Sequence, residues 1–377
     1  MSKKYSVFLT ALFCGFLGVM VTANALVPDR EFSQVENRPL AQRPALTAKG
    51  LASGDFMSDY ESYVTDQFAG RDGWTAAKAY LEKAVGKQEN NGVYFCEDST
   101  LIARFEEPDQ KRLTNNFNYV NSFAEKAGVP VTFGLIPTQA KIWAEKLPAG
   151  APNYDQTLVM DQARESVKAQ FVDLTQALEG HKGEAIFYRT DHHWTSLGAY
   201  YGYVGLSQAL GYEPVPLAQY SKTTVSTEFY GTVFSSSGVR WVEPDEMDIY
   251  VPEEGITVTS HTYDSKGRPV KEPRQLYDES YLAKKDKYSM FLGGQQALGV
   301  VETGNTDKPK LLLIRDSYSD SLVPFLTPHF SEIHLMDFRY CKLSPSQYIA
   351  DNGIDQALVL YSVPNFVSDA NLLWIGR

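Results

Sequence analysis

The order of apolar and polar positions divides the chain into stretches of different character. No charged residue follows Lys4 until Asp29, and residues 7–21 are strongly apolar. Residues 29–55 carry Pro39, Pro44, Gly50 and Gly54 with few apolar clusters, the pattern of a linker. Helical spacing then puts Phe56, Tyr60, Tyr63, Val64 and Phe68 on one face; Gly70 breaks it, and a second helix starts at Trp74. A short strand pair is expected at 92–95 and 101–103. From residue 112 helix and strand periods alternate. The spacing predicts helix 112–127, strand 130–136, helix 156–169, strand 171–174, a helical turn 175–180, strand 184–189 and helix 196–210. The alternation resumes with strand 310–315, a short helix 319–327, strand 333–338, helix 344–351 and a last strand 356–363. Short strands joined by single helices imply parallel pairing. The predicted class is α/β: a parallel sheet flanked by helices, preceded by an N-terminal hydrophobic helix. Residues 213–300 break the rhythm. They are rich in Thr, Val, Tyr, Ser and Gly, with β-prone runs at 249–251 and 256–258, and read as a β-rich inserted segment.

A basic start at Lys3 and Lys4 followed by an apolar run is the order of an export signal. Ala23-Asn24-Ala25 fits the small-residue cleavage pattern. The uncharged stretch also reaches the roughly 20 residues that cross a bilayer. Residues 1–28 are therefore a signal peptide or a single transmembrane anchor. Either reading puts the rest outside the cytoplasm, secreted or held at the membrane by this segment. The expected divisions are then 29–99, a linker and helical segment, and 100–377, the α/β domain with its insertion at about 213–300.

Composition narrows the partners. Beyond residue 28 stand 33 basic and 46 acidic residues, a net charge of −13, which excludes nucleic-acid binding by phosphate neutralisation. An apolar fraction of 43% against 21% charged is that of a folding chain. Three cysteines make no disulfide framework; Cys14 lies in the apolar run, and Cys96 and Cys341 either pair or stay free.

In an open parallel sheet, ligands gather beyond the carboxyl ends of the strands. Three segments follow strands there: Pro137 to Lys141, Thr190 to Thr195, and Arg315 to Ser319. A serine on a strand-to-helix turn, Ser317, stands beside the free N–H groups of a helix start, which suit an oxyanion. The same residues also suit helix capping. A serine nucleophile needs a base, and the base an orienting carboxylate. In an extended segment positions i and i+2 point the same way, so Asp191 can reach His193 while His192 points away. Capping of the next helix by Thr195 or Ser196 is the bland reading. A metal is the other alternative, since two histidines adjoin an aspartate; His181, His261, His329 and His334 complete no evident ligand cluster.

Asp191-His192-His193-Trp194 resembles the defining motif of the DHHW protein family of bacterial envelope proteins, a family similar to the alginate O-acetyltransferase-like branch of the SGNH hydrolases. Glu36-Asn37-Arg38-Pro39-Leu40, Gly92-Val93-Tyr94-Phe95 and Leu135 to Lys141 support the resemblance. It implies an SGNH/flavodoxin-like α/β fold and a permuted chain order, with Asp191 and His193 preceding Ser317. The implied activity is serine-dependent transfer or hydrolysis of an acyl ester, acetyl above all, on a cell-envelope or exported polysaccharide. Ser317, His193 and Asp191 are then the catalytic residues, with no metal and no cofactor. Tyr318, Arg315, Trp194, Lys141 and Asn365 are the candidate substrate-binding residues, and the N–H groups of Ser317 and Tyr318 the oxyanion donors. The Asp316 carboxylate beside the serine opposes oxyanion formation unless Arg315 neutralises it. The alternative is a non-catalytic, envelope-anchored glycan-binding protein on the same fold. The partners implied are a polysaccharide or acyl donor, and the membrane where the N-terminal segment is retained.

Overall fold

The computed structural model describes residues 3–251, 255–263 and 269–376. The β-rich stretch 213–300 includes residues 252–254 and 264–268, which lie outside that description. Two compact units are resolved: Met1–Asn90 with Ser235–Arg240, and Asn91–Phe234 with Trp241–Arg377. The strand pair Val93–Phe95 and Leu101–Ala103 falls in the larger unit.

In the smaller unit the uncharged run forms α1 (Lys3–Leu26), with no buried residue. At about 1.5 Å per residue its 24 residues span roughly 36 Å, enough for a hydrocarbon core of about 30 Å. Its second half does not stand free. Phe16, Met20 and Ala25 border a cleft of about 530 Å³ with Tyr60, Val64 and Phe68. The amphipathic stretch forms α2 (Asp55–Gln67) and α3 (Arg71–Ala84), and Gly70 between them has φ +71. Asp66 organises this unit. It receives Arg38 through both Nη atoms at 2.8 and 2.5 Å, and the Ala41 N–H at 2.8 Å. The Arg38 hydrogen bond outweighs burial and holds the Asp66 carboxyl down at about 2.

The larger unit is built on an eight-stranded sheet. Its strands in chain order are β1 (Val131–Ile136), β2 (Gln170–Asp173), β3 (Thr257–Tyr263), β4 (Pro269–Arg274), β5 (Leu298–Glu302), β6 (Lys310–Arg315), β7 (Glu332–Met336) and β8 (Gln356–Ser362). The spatial order is β4-β3-β5-β7-β6-β8-β1-β2. The run from β7 to β2 is parallel, as the helix–strand alternation predicts. The sheet is not wholly parallel, however. β3, β4 and β5 come from the β-rich stretch, and they pair antiparallel. That stretch therefore widens the sheet, and it adds the hairpin Ser221–Phe229 with Asp245–Val251.

Helices cover both faces, as period two requires of a strand buried on both sides. Phe133 of β1 meets Phe366, which meets Phe117 of α4 (Gln110–Lys126). The next residue, Gly134, faces the other way; a Cβ there would come 3.6 Å from Leu206 of α5 (Ser196–Leu210).

The expected strand 184–189 is absent. The segment is buried at Ile186, Phe187 and Tyr188, which is why it reads as a strand. Its backbone pairs with the other limb of its own loop: Thr195 N–H donates to Ile186 O, Tyr188 N–H to His193 O, and Phe187 bridges Trp194. Asp191, His192 and His193 thus occupy the tip of a small self-paired loop.

Candidate active site

Parallel strands end on one side of the sheet. That side carries the turn after β6 with Asp316 and Ser317, the turn after β7 with Asp337 and Arg339, the segment after β8 with Asn365, and the segment after β1 with Gln139. Beyond β6 the chain enters a 3-10 turn, Ser317–Ser321, capped by Asp316. The expected short helix is thus a 3-10 turn followed by the helix Val323–Leu326. Asp316 is fully buried and accepts four hydrogen bonds. Oδ1 takes the Tyr318 N–H at 3.0 Å; Oδ2 takes Ser362 N–H at 2.9 Å, Ser362 Oγ at 2.7 Å and Asn365 Nδ2 at 2.8 Å. The serine is thereby fixed on the turn.

The other loop meets this turn. His193 Nε2 lies 2.8 Å from Ser317 Oγ, across 124 residues of sequence, and His193 Nδ1 lies 2.6 Å from Asp191 Oδ1. Asp191 Oδ1 also accepts the His193 N–H at 3.0 Å. That bond makes a tight Asx turn, so the proximity of the two side chains comes from a turn and not from extended backbone. Consequently His192 does not point away. Its Nδ1 lies 2.5 Å from Thr232 Oγ1 and 3.7 Å from Asp191 Oδ1, and its ring centroid is 3.8 Å from that of His193.

The second carboxylate oxygen of Asp191 is served from the β-rich stretch. Thr232 donates to Oδ2 from its N–H at 2.7 Å and its hydroxyl at 2.9 Å. The Thr232 proton is thus spent on Asp191, and the His192 contact requires His192 Nδ1–H as donor. Gly231 passes so close that a Cβ there would lie 2.2 Å from Asp191 Cβ and Oδ2. Asp245 takes the Thr190 N–H and hydroxyl at 2.8 and 2.6 Å, and Gln139 Nε2 donates to the carbonyls of Tyr188 and Asp191 at 2.5 and 2.7 Å. Burial alone would raise the Asp191 pKa. The adjoining His192 and His193 rings and the hydrogen bonds outweigh it and hold the carboxyl well below the usual range. Burial and the neighbouring His193 push the His192 imidazole down. Its side chain is 37% exposed, and the water that reaches it moderates the cost of charging the ring.

Of the candidate substrate-binding residues, Trp194, Tyr318 and Arg315 lie inside the protein. Trp194 Nε1 donates to Tyr318 O at 2.8 Å, and Tyr318 Oη donates to His192 O, so these two residues lash the loops together. Trp194 fits because α5 presents glycine: a Cβ at Gly202 would fall 2.6 Å from its ring. Arg315 does not neutralise the Asp316 carboxylate; its guanidinium pairs with buried Asp320, and Nη1 reaches only the Asp316 carbonyl at 3.3 Å. Lys141 extends toward Asp155 and Glu179, 4.0 Å from each. Asn365 serves Asp316. Of the two proposed oxyanion donors, the Tyr318 N–H is spent on Asp316, whereas the Ser317 N–H makes no hydrogen bond among the described residues.

Asp191, His192 and His193 each offer a ligand atom within 4.8 Å of the others, a spacing that suits a metal. Both nitrogens of His193 and both oxygens of Asp191 already have protein partners.

Residues 158–336 match the family model named DHHW protein. The resemblance to the DHHW family holds. A DHHW family protein from Eubacterium siraeum is 29% identical, with a TM-score of 0.65 over 76% of this chain and 95% of that one. Bacillus cereus PatB1 is 20% identical over 76% of this chain and 99% of its own, with a TM-score of 0.62. PatB1 with a sulfonyl adduct is 19% identical over 74% and 97%, also at 0.62. At those identities the likeness to PatB1 is one of fold. No curated protein matches the chain.

Around the DHHW motif, sequence reasoning misses Gln139, Gly231, Thr232 and Asp245. Gln139 lies within a segment that supports the family resemblance, where Lys141 is the candidate residue. The others sit in the β-rich stretch, and no local pattern ties them to a motif tens of residues away.

Proposed function

We propose that the protein is an extracytoplasmic SGNH-type acyltransferase or esterase acting on acyl esters, acetyl above all, of a cell-envelope or exported polysaccharide. The observation that supports this best is the relay Asp191 to His193 to Ser317, at 2.6 and 2.8 Å. In this reading Ser317 Oγ attacks the acyl carbonyl while its proton passes to His193 Nε2. Asp191 accepts the Nδ1–H, fixing the tautomer and stabilising the imidazolium. The Ser317 N–H is a donor for the oxyanion, a contribution worth roughly 10²–10³ in rate. His193 then protonates the departing alkoxide, leaving acyl-Ser317. An acceptor hydroxyl, of sugar or water, gives its proton to His193 and attacks the acyl group. The proton returns to Ser317 Oγ and the cycle closes. Retention of α1 would hold this chemistry at the membrane surface.

The test is hydrolysis of an activated acetyl ester by the full chain in detergent, with and without polysaccharide acceptors. Ser317→Ala and His193→Ala should fall to background. Asp191→Asn should lose about four orders of magnitude through the wrong tautomer. His192→Ala should lose about ten-fold, since its ring supports His193. Sulfonyl fluorides, which form sulfonyl adducts of the kind described on PatB1, offer a readout free of substrate identity. Wild-type activity in Ser317→Ala would reject the reading.

A further inference from the structure

His193 is held in its own plane at both nitrogens, by Asp191 and by Ser317. Two in-plane bonds fix the line joining the nitrogens and leave one soft motion, rotation of the ring about that line. A contact on the ring face removes it. Tyr288 makes that contact: its ring lies 3.7 Å from the imidazole centroid and only 7° from parallel. His192 lies 3.8 Å from the same centroid at 37°. Two rings that close to one centroid cannot share a face, so His193 is sandwiched, and only Tyr288 is parallel to it.

Tyr288 also touches the nucleophile turn. Its Oη lies 3.1 Å from Ser317 O and 3.1 Å from Ser321 Oγ. The Ser317 carbonyl can only accept, so Tyr288 donates to it and the Ser321 hydroxyl donates to Tyr288. Burial pushes the phenol well above its usual range and keeps it a donor. The ring itself is anchored from behind by Phe291, at 5.1 Å, and Tyr188, at 6.4 Å edge-on.

We propose that Tyr288 is the positioning residue of the acyl-transfer step, setting the plane of His193 against Ser317 and offering its π face to the imidazolium formed when His193 takes the Ser317 proton. This rests on the acyl-transfer reading above. A ring over an imidazolium is attractive where the same ring over a neutral imidazole gains little, so the benefit falls on the charged state along the reaction path. The β-rich stretch thereby delivers Tyr288 to His193 and Thr232 to Asp191.

The experiment measures the rate of Ser317 labelling by phenylmethylsulfonyl fluoride, by intact mass, on the full chain in detergent. In that step Ser317 Oγ bonds to sulfur, fluoride leaves, and the serine proton passes to His193. Wild type, His193→Ala, Tyr288→Phe and Tyr288→Met are compared, with thermal melting of each; Tyr288→Leu replaces the Met variant should that one not melt cooperatively. Tyr288→Phe keeps the stacked ring and should label within about three-fold of wild type. The aliphatic variant should fall about ten-fold or more while still melting cooperatively. With the activated ester, the aliphatic variant should lose kcat with KM unchanged, and Phe should restore it. An aliphatic variant labelling at the wild-type rate, or a Phe variant falling as far as the aliphatic one, overturns the role given to the ring. Equal labelling of wild type and His193→Ala overturns instead the acyl-transfer reading on which it stands.

Discussion

The turn that carries Ser317 is held by the sheet it grows from, whereas the loop that carries Asp191 and His193 is held by residues far along the chain. Ser317 follows β6, and its capping Asp316 is satisfied by Ser362 and Asn365, at the end of neighbouring β8. Asp191 follows no strand. Its loop pairs with itself and takes its remaining bonds from Thr232, Asp245 and Gln139. One half of the relay is thus part of the rigid parallel sheet. The other half rests on Gln139 beyond β1 and on Thr232 and Asp245 of the β-rich stretch, where substitutions can move Asp191 and spare the sheet.

The sharpest way to break this comparison is to disturb each side at its anchor. Asp316→Ala removes four hydrogen bonds and leaves the buried donors of Ser362 and Tyr318 and the half-buried amide of Asn365 without partners. It should cost about 3 kcal/mol, lowering the melting temperature by several degrees together with more than a hundred-fold of activity. Gly231→Ala drives a Cβ into Asp191. It should cost about a hundred-fold in esterase rate, as misplacement of a catalytic group does, with a smaller thermal penalty. Equal thermal losses in the two variants would erase the distinction between a sheet-held and an insertion-held half.

How much of this was legible follows the same division. The apolar run of β6 and the turn residues after it mark Ser317 in the sequence, because strand and turn are local. The helix over Ser196–Leu210 is legible for the same reason. The i, i+2 spacing brings Asp191 and His193 together on paper, yet the backbone that does so is an Asx turn, and that geometry also brings His192 against both. Residues 184–189 look like a strand because burial, and not pairing with the sheet, makes them apolar. Thr232 and Tyr288 are silent in the sequence. Their importance lies in contacts made 41 and 95 residues from their partners Asp191 and His193, and no periodicity records those.

Two smaller effects sharpen the picture. Thr232→Val keeps the backbone N–H to Asp191 and removes the hydroxyl. It should lower the rate by about ten-fold with little thermal change, read as kcat with KM unchanged, because one of the two bonds to Oδ2 survives. The smallest effect is one of pH. The folded pKa of His192 is depressed, so between its ordinary value near 6.5 and the lower folded value the unfolded chain binds the extra proton. Stability from this group is present above about pH 6.5 and is lost as pH falls. Between pH 7 and pH 5 the melting temperature should drop, and in His192→Asn the drop should be smaller by a degree or two; an identical drop in both proteins would remove His192 from the balance.

In the proposed reaction Ser317, activated by His193, takes the acyl group onto its own oxygen. It is tested most directly by exposing the full chain in detergent briefly to an activated acetyl ester, quenching in acid and locating any acetyl group by peptide mass mapping. The account predicts one acetyl ester on the peptide that contains Ser317, absent in Ser317→Ala and formed only at the background rate in His193→Ala. Esterase turnover with the acetyl group on another residue, or undiminished labelling of Ser317 in His193→Ala, would contradict it.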